Sequence, residues 1–433
     1  MIPPDPPSPN PTLEDLIYDW NRAEAPPSLP RGRVTFDDET LRDGLQSASV
    51  SDPPLEDKLR ILHLMEDLGI DSADLGLPAA GPRAFADTLA LVRETVHGAM
   101  TLRPNAAART MIKDVEPIAD ISQKAGCAVE VAMFVGSSPI RFYTESWTLD
   151  RLLRMTEEAV GFAVDHGLPV MFVTEDTTRA TPETIRALYL AAIRSGARRI
   201  TVADTVGHVV PAGVEAVVRF VRDIADHCGE DVLLDWHGHN DRGLAVVNAL
   251  TAAFCGADQV HGTALGVGER CGNAAMDQLL VNFKLMGLVQ NDLGRLADYC
   301  ETAAGSMHVE IPDNYPVIGR DAFRTATGVH AAAVIKAASR GEAWLKDMIY
   351  SSVPASLIGR DQIIEIGPMS GLSNVTYWLT NHGYAAEPAL AAKIFAEAKK
   401  AKSVLTEREI LDVVERHGAA TEAPHGGGLG GSG

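Results

Sequence analysis

Cysteine is scarce in this 433-residue chain: there are five, Cys127, Cys228, Cys255, Cys271 and Cys300, and none forms a CxxC pair. Thiols scattered in this way build neither a disulfide framework nor a structural zinc site, and they fit a reduced, cytoplasmic protein. No apolar run approaches the roughly 18 residues of a membrane span. Basic residues are also short, with Lys+Arg 38 against Asp+Glu 58 and a formal charge of −20. Neither nucleic acid nor an anionic membrane suits such a surface as a whole. A few buried cations or a metal ion can still reverse the sign locally, which leaves room for an anionic substrate.

The opening segment lacks the basic and apolar regions of a signal peptide. Nine of the first 30 residues are proline, which predicts an extended arm over 1–30. Within it, Thr12 can cap a short helix over Leu13–Arg22. At the other end, HGGGLGGSG (His425–Gly433) has no core-forming residue, so 418–433 reads as a disordered tail. Between these ends there is ample apolar material, 46% of the chain, which excludes a fibrous or wholly disordered protein.

From residue 31 to 290 short apolar runs alternate with amphipathic stretches. The strand candidates are Arg33–Asp37, Ser72–Leu75, Met100–Arg103, Ala128–Phe134, Pro169–Thr174, Arg199–Ala203, Val232–Trp236 and Gln259–Gly262. Stretches such as Leu55–Leu68, Leu149–His166, Pro182–Ser195 and Pro211–Ala225 carry the i, i+3, i+4 apolar spacing of helices. Eight such alternations imply parallel strands with right-handed crossovers. A doubly wound sheet would satisfy the pattern, but eight strands over 260 residues favour a (β/α)8 TIM barrel, whose chemistry sits at the C-terminal strand ends. From 291 to 417 the alternation stops. Helices are expected over Leu293–Met307, Ala331–Ala338, Ala389–Lys400 and Glu407–His417, making a mainly helical C-terminal appendage.

Polar residues gather where the barrel would place them. His237-Gly238-His239 ends the seventh strand, and residues i and i+2 of a strand point to one side, so two imidazoles can meet one ion. An isolated HxH also arises by chance. Asp43, after the first strand, completes a two-His, one-carboxylate set suited to zinc, manganese, cobalt or magnesium, with open positions for substrate. The segment Asp38–Gln46, DETLRDGLQ, packs four charges beside it. As a plain loop it would be a solvated cap. Read functionally, it sets Arg42 next to a metal carboxylate to stabilise an oxyanion.

DETLRDGLQ, HGHNDRGLAVVNAL and GVGERCGN, with ADTVG at Ala203–Gly207 and TGVH at Thr327–His330, together resemble the DRE-TIM metallolyases, in particular the 2-isopropylmalate/homocitrate synthase branch. The resemblance runs from about Arg33 to about Gly383. It implies metal-dependent Claisen condensation of acetyl-CoA, or another acyl-CoA, with a 2-oxo acid, followed by thioester hydrolysis. By the same resemblance Asp43, His237 and His239 bind a divalent metal, with Asn273 at the ion or beside it. Arg42 stabilises the enolate or carbonyl oxygen, Thr205 and Gln46 bind substrate, and Glu175 takes part in proton transfer. His330 and Tyr350 are the appendage's catalytic residues, His330 acting in the neighbouring subunit of a homodimer; Tyr350 can equally be a packing aromatic. No leucine-binding regulatory domain is expected.

Some positions depart from the synthases. Leu45 stands where they usually carry Glu, and Ala132 where many carry His, both as in lyases that cleave hydroxymethylglutaryl-CoA. Val173 replaces a common Ser, and Arg324 a common His. GERCGN and the appendage favour synthases. Arg103 and Arg324 are read as ordinary surface or packing residues, Cys271 as a small residue in a tight turn, and His63, His97, His166 and His227 as solvent-facing. The oxo acid stays open between 2-oxoisovalerate, pyruvate, 2-oxoglutarate and others, with a branched acid preferred.

Overall fold

A computed structural model describes residues 16–22 and 30–417. Most of the Pro-rich arm and all of the Gly-rich tail lie outside the described residues. Of the helix expected over Leu13–Arg22, Leu16 has helical backbone and Trp20–Arg22 form a 3-10 turn. The described residues fall in two compact units, one made of 16–22, 30–48 and 70–279, the other of 49–69 and 280–417.

In the first unit eight parallel strands close into a barrel: β1 (Thr35–Asp38), β2 (Ser72–Asp74), β3 (Arg103–Arg109), β4 (Glu130–Gly136), β5 (Val170–Glu175), β6 (Arg199–Asp204), β7 (Leu233–Gly238) and β8 (Gln259–Gly262). Closure comes from β8 pairing with β1, Thr35 opposite Gln259 through Asp38 opposite Gly262. That settles the choice between an open sheet and a TIM barrel. One strand was misplaced by sequence: β3 is RPNAAAR, beginning where the expected Met100–Arg103 ends. Proline, asparagine and alanine are poor strand formers, so nothing local marks this strand. Its neighbours decide it, with Asn105–Arg109 in register with Glu130–Phe134 of β4.

Two of the helices after the strands carry side-chain caps. Thr148 accepts from Arg151 N at 3.3 Å and Thr181 from Thr184 N at 3.4 Å, starting Leu149–Asp165 and Pro182–Arg194. A short extra helix, Pro139–Glu145, follows β4 and carries Arg141.

The second unit is helical apart from a two-stranded parallel ribbon, β9 (Arg324–Thr325) with β10 (Ile363–Ile364). Leu55–Asp67 belongs to it and packs on Leu296–Met307; Asn291 Nδ2 clamps this helix end by donating to Leu68 O and Gly69 O at 2.7 and 2.9 Å. The terminal helices Leu372–Asn381, Pro388–Lys400 and Glu407–Arg416 enclose an apolar core of Val375, Leu379, Leu390, Ile394, Ile410 and Val413. Thr406 and Glu409 form a reciprocal capping box at the start of the last helix.

Candidate active site at the barrel mouth

Along each barrel strand alternate residues point inward, and around one end they line a cavity of about 250 Å³. Arg42, Asp43, Gln46, Glu175, Thr205, His237 and His239, all picked out by sequence, line it together. Leu77, Ala107, Ala132, Phe134, Met171, Val173 and Ala203 give it an apolar wall.

The loops that deliver these groups are tied to one another. Asp38 accepts from Thr40 N at 2.8 Å, and Thr40 Oγ1 accepts from Ala264 N at 2.8 Å, joining the loops after β1 and β8. In the GERCGN loop, Gly272 has φ +85°, and a Cβ there would fall on Gly266 O. Glycine is therefore required at this position. The loop pairs with the end of β7 through Asn240 N to Gly272 O, 2.8 Å, and Ala274 N to Gly238 O, 3.1 Å. Arg270 pins it further, its Nε donating to Asp241 Oδ1 at 2.9 Å and its Nη2 to Thr205 O at 2.5 Å. Cys271 is an exposed free thiol in this loop.

At the centre Asp43 Oδ2 lies 3.6 Å from His237 Nε2 and 3.4 Å from His239 Nε2. Two donor atoms held about 2.1 Å from one divalent ion stand roughly 3.0–3.4 Å apart; the His239 distance meets that spacing and the His237 distance exceeds it by about 0.2 Å, so these three residues are close enough to share such an ion. Burial, reinforced by His237, lowers His239 to about 4. Its imidazole is then neutral at pH 7, the form that binds a metal. Asn273 pairs with His239 through the backbone, and its buried Oδ1 has no hydrogen-bond partner among the described residues. That orphaned oxygen is suited to an ion or to a ligand on it.

Arg42 is fixed from two sides. Its Nε donates to Asp74 Oδ2 at 2.8 Å, its Nη2 donates to Glu39 Oε2, and Nη1 stands 3.9 Å from Asp43 Oδ1. Burial opposes the charge on Glu39, but the Arg42 guanidinium, with His237 and His261, outweighs it and holds the carboxyl well below its usual range. Glu175 is half-buried beside Arg141, whose Nε is 3.5 Å from Oε1. Burial pushes the Glu175 carboxyl up despite that cation. Thr205 Oγ1 accepts from Asp176 N at 2.7 Å.

His330 and Tyr350 belong to the second unit, where their rings stack at 4.3 Å and 29°. His330 is exposed and Tyr350 is 51% exposed. Arg324 lies in that unit as well, paired with Glu365 and Asp321 at 2.7 Å each, while Arg103 is exposed at the N-terminal start of β3. His63, His97, His166 and His227 are all exposed.

Sequence reasoning missed the network under the mouth. Glu39 Oε1 accepts from His237 Nδ1 at 3.1 Å and His261 Nδ1 at 2.7 Å. His261 Nε2 meets Asp235 Oδ2 at 3.2 Å, and Arg199 Nη1 donates to Asp235 Oδ1 at 2.8 Å. Burial disfavours a charged His261, yet the hydrogen bonds to Asp235 and Glu39 raise it well above its ordinary range. A signal did exist: Gln259 and His261, Asp235 and His237, and Arg199 and Thr201 are polar pairs at i, i+2 inside otherwise apolar strands.

A closed eight-stranded parallel barrel with a His–His–Asp group that could hold an ion at its mouth is a TIM barrel with a candidate metal site. The model of the HMGL-like family matches residues 33–304, and the chain belongs to that DRE-TIM family. It is 29% identical over 400 residues to a protein named probable 2-isopropylmalate synthase from Ignicoccus hospitalis, covering 91% of this chain and 94% of that one. A homocitrate synthase from Methanopyrus kandleri is 30% identical over 375 residues, covering 86% and 88%. Among solved structures, the HMG-CoA lyase of Bacillus subtilis superposes with a TM-score of 0.55 at 19% identity, over 66% of this chain and 97% of that one; a likeness at that identity concerns the fold. Among the described residues no helix is long and apolar enough to cross a membrane.

Proposed function

We propose that this protein is a cytoplasmic acyltransferase that joins the acetyl group of acetyl-CoA, or a related acyl-CoA, to a 2-oxo acid and releases a 2-alkylmalate-type product and CoA. The observation that carries the reading is the convergence of His237, His239 and Asp43 within 3.6 Å beside Arg42. The names of its synthase relatives agree with it. Asp43, His237 and His239, with Asn273 adjoining, would hold a divalent ion, which polarises the keto acid's carbonyl.

The chain's own groups account for the remainder. A base removes the proton alpha to the thioester carbonyl, and the carbanion's electron pair forms the new C–C bond at the keto carbon. The keto oxygen becomes an alkoxide and is protonated, and water then cleaves the thioester. Arg42, immobilised by Asp74 and Glu39, offers a fixed cation where oxyanion charge develops. Thr205 and Gln46 orient the oxo acid, and Glu175 moves the proton. His330 and Tyr350 join them from the second unit of the partner protomer in a homodimer.

The apolar wall favours an uncharged side chain on the oxo acid. Apart from histidines, Arg42 is the one cationic residue among those lining the cavity, and it is already paired twice. A second carboxylate, as in 2-oxoglutarate, would find no counter-ion there. A branched aliphatic acid such as 2-oxoisovalerate fits best, which makes the enzyme 2-isopropylmalate synthase-like; pyruvate would leave much of the wall uncovered. The specific observations favouring a lyase instead are Leu45 and the small Ala132 on the cavity wall. Thiol release from acetyl-CoA with a panel of 2-oxo acids separates these readings. Release with 2-oxoisovalerate is expected. Cleavage of 3-hydroxy-3-methylglutaryl-CoA to acetyl-CoA, with no thiol release, would replace synthase by lyase.

A further inference from the structure

The barrel interior below the metal-fitting triad is occupied by charge where a packed apolar layer is usual. Glu39, 4% exposed, is its hub. One carboxylate oxygen faces His237 Nδ1 and His261 Nδ1, at 3.1 and 2.7 Å, and the other accepts from Arg42. We propose that Glu39, braced from behind by His261 and Asp235, is a positioning residue that fixes the tautomer and direction of the metal-binding His237 and the orientation of Arg42 at once. This rests on the reading of Asp43, His237 and His239 as a divalent site.

A carboxylate accepts only, so His237 Nδ1 must carry the hydrogen it shares with Glu39. Neutral His237 then has its lone pair on Nε2, the atom 3.6 Å from Asp43 Oδ2. A metal-ligating histidine anchored in this way through its second nitrogen is pre-aimed at the ion. His261 has a carboxylate at each ring nitrogen, Glu39 at Nδ1 and Asp235 at Nε2, so both donate. The cation this creates offsets the buried Glu39 charge together with Arg42. Asp235 is held in turn by Arg199, which also donates to Gln259 Oε1 at 2.8 Å. A continuous buried chain, Arg199–Asp235–His261–Glu39–His237, thus runs from inside the barrel to the ion's ligands. Because Glu39 also grips Arg42, its loss should disturb the ligand and the oxyanion cation together.

The test is a competition titration of the intact chain with Co²⁺ against a chelating dye, with the visible Co²⁺ spectrum recorded and no substrate present. Wild type should bind one ion, and Glu39→Gln should bind it about 10–100-fold more weakly, with an altered ligand-field band. In Gln the NH₂ end would confront either the histidines or Arg42, donor against donor. His261→Gln keeps a donor toward Glu39 but loses the charge, and should lie between wild type and Glu39→Gln. Melting of the metal-free proteins provides the control: a merely structural role lowers the melting temperature and leaves Co²⁺ affinity alone. A loss of less than fivefold in Glu39→Gln overturns the proposal, as do two ions per wild-type chain, since Glu39, His237 and His261 would then be ligands of a second ion. If Glu39→Gln does not fold, Glu39→Asp and His261→Gln decide by the same fivefold criterion. A wild type that binds no divalent ion breaks the metal reading itself, a different outcome from an ion whose affinity ignores Glu39.

Discussion

The two units share an apolar core but differ in how much charge they bury beside it. In the barrel, Asp37, Glu39, Asp43, Asp74, Asp235, His237, His239 and His261 are all buried. The terminal helices of the second unit enclose aliphatic side chains around Trp378, while their charges form exposed pairs such as Arg408–Asp412 and Lys400–Glu397. Buried charge is costly unless it is paired and hydrogen-bonded, and the barrel pairs nearly all of it through Arg42, Arg199 and the histidines. Natural cores tolerate such groups mainly where chemistry requires them. A substitution in the barrel interior should therefore cost activity first, and one in the helical core should cost stability first.

The sharpest break in that contrast is His239→Ala. It removes a proposed ligand whose imidazole is kept neutral by burial, and turnover should fall at least about a thousandfold while far-ultraviolet circular dichroism stays that of wild type. Metal analysis should show the ion lost. Full thiol release by this variant in chelator-treated buffer would refute the ligand assignment. Next in size is Arg42→Lys. An ammonium cannot serve Asp74, Glu39 and a developing oxyanion from one planar fork, so kcat should drop roughly a hundredfold with the metal content retained. A kcat near wild type would make Arg42 structural.

The helical counterpart is Ile394→Ala. Ile394 is wholly buried, and deletion of its branched chain should cost about 2–5 kcal/mol, read as a lower urea midpoint. Rate per folded molecule should hold. A fall in kcat without loss of stability would show that the contrast between the units is false.

The barrel, its strand ends and most of its mouth were legible because they depend on short-range pattern. Strand–helix alternation gave the architecture, and HGH, DETLRDG and GERCGN marked three of the loops. β3 was not legible, since RPNAAAR is specified by register with β4 and not by its own propensities. Nor was the role of His261 and Asp235. Each sits mid-strand with apolar neighbours, and only closure of β8 onto β1 brings His261 to Glu39, 222 positions away in the chain. Asp74, 32 positions from Arg42 and at the end of the next strand, was hidden as its partner in the same way.

A smaller effect tests whether the units cooperate between protomers. His330→Ala and His239→Ala should each be inactive. If a complete site takes His239 from one protomer and His330 from the other, random exchange yields half mixed dimers, each with one intact site. About a quarter of wild-type activity should then return. Verified exchange, by mass or by a tag, with no activity regained would place His330 outside the neighbour's site.

The smallest expected effect is a displaced pH limb. Glu175 has its carboxyl pushed up by burial, and the nearby Arg141 guanidinium works in the opposite direction. If Glu175 accepts a proton in the reaction, kcat/KM is lost as pH falls through that raised value, so the acid limb should lie above the range of an exposed glutamate. Removing Arg141 removes the force that lowers it. Arg141→Met should therefore move the limb to higher pH, with the plateau at neutral to alkaline pH little changed. The variant is mild for the fold, because Arg141 lies on the short helix Pro139–Glu145, its side chain is 36% exposed, and its other ion pair, with Glu145, is local. Glu175→Gln supplies the complementary result: the limb should vanish with most of the rate. A limb that moves to lower pH in Arg141→Met, or that persists unchanged in Glu175→Gln, would assign the proton transfer to another group in the mouth.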